Sequence, residues 1–213
     1  MILVQPVLEI RVPDGFSLWP VAECERYGFL TLSGALDPAG IGTAVASIAD
    51  CNDTGAEADD RTPRLDDPLG SFLHGLRTVD APVASGGLRV TDASTGTTLV
   101  PGCCNGLEER REWLEVVDGD GFASFGHGPS PLAERLGDMV RLTVDTERSD
   151  SPVIELPVGE LRRLLTDVER DLTDFLRSAA VWAVRHLPGH AAHVITGVAG
   201  ALALPAPAVP PNP

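Results

Sequence analysis

Cys103 and Cys104 stand side by side in the segment Gly102-Cys103-Cys104-Asn105, and no other local sequence in this chain is so open to chemistry. Two thiols at a helix start gain nucleophilicity, because the positive end of the helix dipole favours the thiolate. Thiolates are also soft metal ligands, and imidazole is a common companion to them. His127 and Cys24 are the companions within the sequence that suit this role. The metal-ligand candidates are therefore Cys103, Cys104 and His127. Adjacent cysteines lack the spacing of structural zinc motifs, and no CxxC is present. The plainer reading is a pair of small, partly buried thiols at a hairpin-to-helix junction. No catalytic residue and no cofactor is assigned.

Other constellations point less far. His186, His190 and His193 have i, i+4, i+7 spacing, but Pro188 and Gly189 fall between the first two and should break the helix that would align them. No Glu beside them completes a metalloprotease pattern. Asp118-Gly119-Asp120-Gly121 looks like the start of a calcium loop, yet Phe122 opens an apolar strand where further oxygen ligands are needed. A tight turn is expected there. Gly40-Ile41-Gly42 has Val45 where a dinucleotide fingerprint places its third glycine. There is no GxSxG nucleophile elbow.

Charge narrows the classes of partner. The 213 residues carry a formal net charge of −15 with a pI near 4.5. That field repels phosphate backbones and anionic lipid surfaces, so nucleic acid and membrane are not expected as partners. A basic protein suits it. All 16 basic residues are Arg, which excludes Schiff-base, pyridoxal-phosphate and Walker A chemistry, each of which needs a lysine. The start, MILVQPVLEIRVPDG, lacks a basic n-region and reads as a strand rather than a signal peptide, which implies a cytoplasmic protein with reduced thiols. The apolar stretch at 191–204 is too short for a membrane span.

These candidates must be held by an α+β architecture, because strands occur with helices both between and after them and without regular alternation. A mostly antiparallel sheet is expected, with a single domain over 1–204 that could subdivide at the acidic, proline-broken segment 51–69. A Pro-rich disordered tail is expected over 205–213. Strands are predicted at 2–12 and 27–32, and a helix from Asp37-Pro38 to about Asp50, with Asp37 as its cap. A short apolar turn follows at 71–76, then a hairpin over 88–100 turning at Ser94-Thr95-Gly96.

Asn105 can cap a helix at about 106–117, with Leu107, Trp113, Leu114 and Val117 inward and Glu108 to Glu112 outward. Further strands are expected at 122–125 and 139–144, the second after a turn-rich 126–138. The strongest signal is an amphipathic helix at about 160–187. Leu161, Leu164, Leu165, Val168, Leu172, Phe175, Leu176, Ala179 and Trp182 form its stripe, and Arg163–Asp167 and Arg170–Asp174 are i, i+4 pairs. A shorter helix follows Pro188-Gly189. Part of the stripe could serve a homodimer through the carboxy-terminal helices.

The segments PGCCNGLEERREW (101–113), FGHGPSPLAERLGDMVRLTVD (125–145) and LPVGELRRLLTDVERDLTDFL (156–176) resemble uncharacterised proteins of high-GC actinobacteria. The resemblance covers roughly the carboxy-terminal half and implies a source and a fold unit, with no activity attached. Two functions of different class follow. One is a non-enzymatic, immunity-like interaction module for a basic partner. The alternative is a small-molecule or metal-binding enzyme or sensor using the Cys103/Cys104/His127 region.

Overall fold

In a computed structural model the chain is α+β, and residues 1–53 and 63–209 are described. Residues 54–62 of the expected acidic segment 51–69, and the last four residues of the expected tail, lie outside the described residues. The strands form two four-stranded sheets. One has the order β2-β1-β3-β4, from β1 (Ile2–Glu9), β2 (Phe29–Thr31), β3 (Gly86–Asp92) and β4 (Thr97–Leu99). The other is the antiparallel meander β5-β6-β7-β8, from β5 (Phe122–Ser124), β6 (Leu132–Leu136), β7 (Met139–Thr143) and β8 (Val153–Pro157). Among the described residues six α-helices accompany them: α1 (Pro38–Cys51), α2 (Pro68–Phe72), α3 (His74–Thr78), α4 (Glu112–Asp118), α5 (Val158–His186) and α6 (Ala191–Ala201). The chain divides into two compact units, Met1–Val7 with Ser85–Asp171, and Leu8–Ala84 with Leu172–Pro213.

In the first unit, the β3–β4 turn is closed by the Asp92 carboxylate, which accepts from the Ser94 amide at 2.9 Å and the Ser94 hydroxyl at 2.7 Å. Gly96, at φ 74°, supplies the left-handed residue that this turn requires. The expected helix at 106–117 is two pieces, a 3₁₀ turn over Leu107–Arg111 followed by α4. A 3₁₀ turn has three residues per turn, so Leu107, Arg110 and Trp113 fall in one line, and all three are buried. That corrects the expected outward Arg110. It also leaves Leu114 45 % exposed, with Val116 buried in its place. Asn105 does not cap this helix, because its amide instead donates to Gly86 O at 2.7 Å and Gly106 holds the cap position.

β6 lies inside the stretch expected to be turn-rich. Gly137-Asp138 joins it to β7 as a two-residue connection, with Leu136 opposite Met139. Inward Ala133, Val140, Leu142, Ile154 and Leu156 are buried, whereas Arg141 and Glu155 face outward and pair across the strands at 2.9 Å. Trp113 stacks on Phe125 with ring centroids 4.1 Å apart.

In the second unit, α1 starts as expected, with the Asp37 carboxylate accepting from the Gly40 amide at 2.7 Å. The indole N–H of Trp19 donates to Gly42 O at 2.8 Å, and a Cβ at Gly42 would lie 2.2 Å from Pro20 O. No side chain fits there. The expected turn at 71–76 is two short helices, α2 and α3.

α5 matches the periodicity closely, and all nine stripe residues from Leu161 to Trp182 are buried. Arg163 bonds Asp167 at 3.1 Å as expected, but Arg170 turns back to Asp167 at 2.9 Å, and Asp174 takes Arg177 at 2.7 Å. Among the described residues, no helix is long and apolar enough to cross a membrane.

Candidate metal centre

Two backbone ladders build the site. The chain leaves β4 and runs beside the segment that follows β5. There Gly102 N donates to Phe125 O at 2.8 Å, Cys103 N to His127 O at 2.7 Å, and His127 N to Cys103 O at 3.2 Å. Cys103 and His127 are thus a directly opposed antiparallel pair. Residues so opposed present their side chains on the same face. The approach is close because the chain lacks Cβ atoms at the crossing. A Cβ on Gly102 would lie 2.2 Å from Pro129 O, and one on Gly126 would lie 2.6 Å from Cys103 O.

The next residue would ordinarily point to the other face. Cys104 instead adopts φ 64°, the left-handed region that costs a residue with a side chain roughly 1–2 kcal/mol. This turn brings its sulfur back beside that of Cys103, with Sγ···Sγ 3.5 Å. The left-handed residue is held from its far side as well. Asn105 donates to Gly86 O at 2.7 Å, its own carbonyl accepts from Gly86 N at 3.0 Å, and Ser85 pairs with Gly106.

The outcome is that the ligand atoms of Cys103, Cys104 and His127 all lie within 4.8 Å of one another, and all three residues are exposed. Among the described residues this is the one group of three or more His, Cys, Asp or Glu placed to share an ion. Cys24 is not part of it, nor do His186, His190 and His193 form such a set. His186 lies against the Trp182 indole instead, with centroids 4.8 Å apart. All four cysteines are thiols, and those of Cys103 and Cys104 are exposed rather than partly buried.

The donor set suits a soft or borderline divalent ion. Zinc–sulfur bonds of about 2.3 Å at the tetrahedral angle put two sulfurs about 3.7 Å apart, close to the separation seen between Cys103 and Cys104. Three protein ligands leave one coordination position open to solvent. Structural zinc sites are closed by four ligands, whereas sites that exchange a ligand keep a position free. The sequence gives Gly102, Gly126 and Asn105 no part in positioning the ligands, yet they set the approach and the turn.

Compared with protein-family models, curated proteins and solved structures, the chain matches none.

Proposed function

We propose that this protein binds a thiophilic divalent ion, zinc in the first instance, through Cys103, Cys104 and His127, with a solvent-facing fourth position. The single observation that supports this reading is the convergence of two sulfurs and an imidazole within 4.8 Å. The two thiols are deprotonated on binding, so two thiolates offset the charge of the ion and protons are released. Because all three ligand residues are exposed, the ion is exchangeable cargo or a sensed ligand. It is not a staple of the fold. The thiols must be reduced, which agrees with the expected cytoplasmic location.

The test is titration of the reduced protein with zinc, following heat and proton release. One equivalent should bind, and Cys103→Ser, Cys104→Ser and His127→Ala should each weaken binding at least tenfold. Chelation should leave the far-UV circular dichroism unchanged. Undiminished zinc binding in the Cys103→Ser/Cys104→Ser double variant would sink the assignment.

The net charge of −15 favours a second reading, an interaction module for a basic protein. Its contact should weaken as salt is added. Recovery of no protein partner from the native cell at low salt would count against it. A homodimer through the carboxy-terminal helices would need faces other than the stripe from Leu161 to Trp182, which is buried within one chain.

A further inference from the structure

The two sulfurs at the candidate centre are placed for a reaction that needs no imidazole. Neighbouring residues of an extended chain send their side chains to opposite faces, so adjacent cysteines do not ordinarily share a ligand. Here Cys104, at φ 64°, turns its sulfur back until Sγ···Sγ is 3.5 Å. A left-handed residue with a side chain persists only where its surroundings fix it, and such positions gather at ligand clamps. The fixing contacts are the Cys103–His127 pairing on one side and the Asn105–Gly86 bonds on the other. Both thiols are exposed, so a reagent in solution reaches them.

The same spacing disfavours a direct S–S bond. The peptide joining Cys103 to Cys104 is trans, which sets their Cα atoms about 3.8 Å apart. Disulfides ordinarily join Cα atoms roughly 4.4–6.8 Å apart, and shorter spans are strained and easily reduced. A single atom standing between the sulfurs relieves that constraint, because it bonds to both while they stay near their present separation. The angle at that atom decides which element fits. A linear two-coordinate ion such as mercury(II) holds its sulfurs on opposite sides, nearly two bond lengths apart and well beyond 3.5 Å. Pyramidal trivalent arsenic holds them on one side, at close to a right angle.

We propose that Cys103 and Cys104 capture a monosubstituted trivalent arsenical, of the class R–As=O. The inference rests on the sulfur pair of the site proposed above and not on its imidazole. Each thiol gives up its proton, two As–S bonds form, the As=O bond breaks and its oxygen leaves as water. Arsenic stays trivalent, so no oxidant or reductant takes part. The organic group fills the third valence of arsenic, so the two sulfurs of the cluster suffice. Once the first As–S bond has formed, the second closes within one molecule, an advantage that free monothiols lack.

The experiment is intact-mass spectrometry of the whole reduced protein, treated with phenylarsine oxide in excess mercaptoethanol and with a chelator present to remove zinc. One adduct is expected, heavier by a phenylarsenic group less two hydrogens. It should resist the monothiol and be removed by dimercaptopropanol. Cys103→Ser and Cys104→Ser should each weaken capture at least a hundredfold, whereas Cys24→Ser/Cys51→Ser should retain it in full, all with the parent's far-UV circular dichroism. Arsenite, which seeks a third thiolate, should bind at least tenfold more weakly than phenylarsine oxide. His127→Ala should capture the arsenical like the parent while losing zinc, which separates the two readings. Zinc binding without arsenical capture would overturn this inference alone, and arsenical capture without zinc binding would overturn the metal reading alone. An adduct stripped by mercaptoethanol, kept in either single serine variant, or lost in Cys24→Ser/Cys51→Ser would also overturn it, as would arsenite binding equally tightly.

Discussion

The Arg110–Glu169 pair allows a prediction in which the order of effects matters more than any single value. Arg110 is 4 % exposed, so its charge has been taken out of water and is compensated by Glu169 and by Leu107 O. Glu169 is different, with 49 % of its side chain exposed. Removing one partner of a fully buried pair costs about 3–5 kcal/mol, because the other charge is stranded. Exposed pairs contribute about 0–1 kcal/mol. With one partner buried and the other half in water, Glu169→Ala should cost about 2 kcal/mol, most of it the stranded guanidinium.

Arg110→Met keeps a long apolar stem in line with Leu107 and Trp113, with the half-exposed Glu169 still in contact with water. It should cost under about 1 kcal/mol. The double variant should resemble Arg110→Met alone, since no charge then remains to strand. Urea unfolding followed by far-UV circular dichroism measures all three. If Arg110→Met proved more damaging than Glu169→Ala, the argument from desolvation would be wrong and direct attraction would dominate.

Three further outcomes follow from the same structure. Trp113→Ala removes a side chain that is 1 % exposed and stacked on Phe125, and should cost about 3–5 kcal/mol in the same unfolding assay. Asp37→Ala deletes the cap on Gly40 N and should cost about 1 kcal/mol, which Asp37→Asn should largely restore. Asp118 is held below its ordinary range by its hydrogen bonds from Arg162, so folding binds this proton less tightly than the unfolded chain does. That contribution is present above about pH 4 and is lost as pH falls through the lowered value. Stability measured from pH 7 down to 2 should therefore fall less steeply in Arg162→Gln, and parallel curves would refute the assignment.

How much was legible depended on which physical rule governed each segment. α5 was readable because nine apolar residues repeat at helical spacing over many turns, a signal that local context rarely overrides. α1 was readable from Asp37-Pro38, where cap chemistry and the fixed φ of proline agree. The buried Arg110 was hidden because a 3.6-residue period places it outward, whereas the turn that carries it repeats every 3.0 residues. β6 was hidden because prolines and glycines flank it, although Gly137-Asp138 is itself a two-residue hairpin connection.

At the site, residue type was enough to nominate Cys103, Cys104 and His127, since sulfur and imidazole are scarce in this chain. Their meeting was not legible. It depends on a strand register and on the left-handed turn at Cys104, which are fixed by hydrogen bonds between segments distant in sequence.

The division of the chain bears on how it comes to be folded during synthesis. The ribosome makes seven residues of the first unit, then the longer opening piece of the second, then returns to finish the first before supplying the last stretch of the second. Neither unit can complete its interior when its first residues emerge, and the second stays unfinished until the region from Leu172 onward is released. Until then the apolar face of α1 has no complete interior to enter, so the interval between translation and closure is when this protein is most exposed to aggregation or to a chaperone.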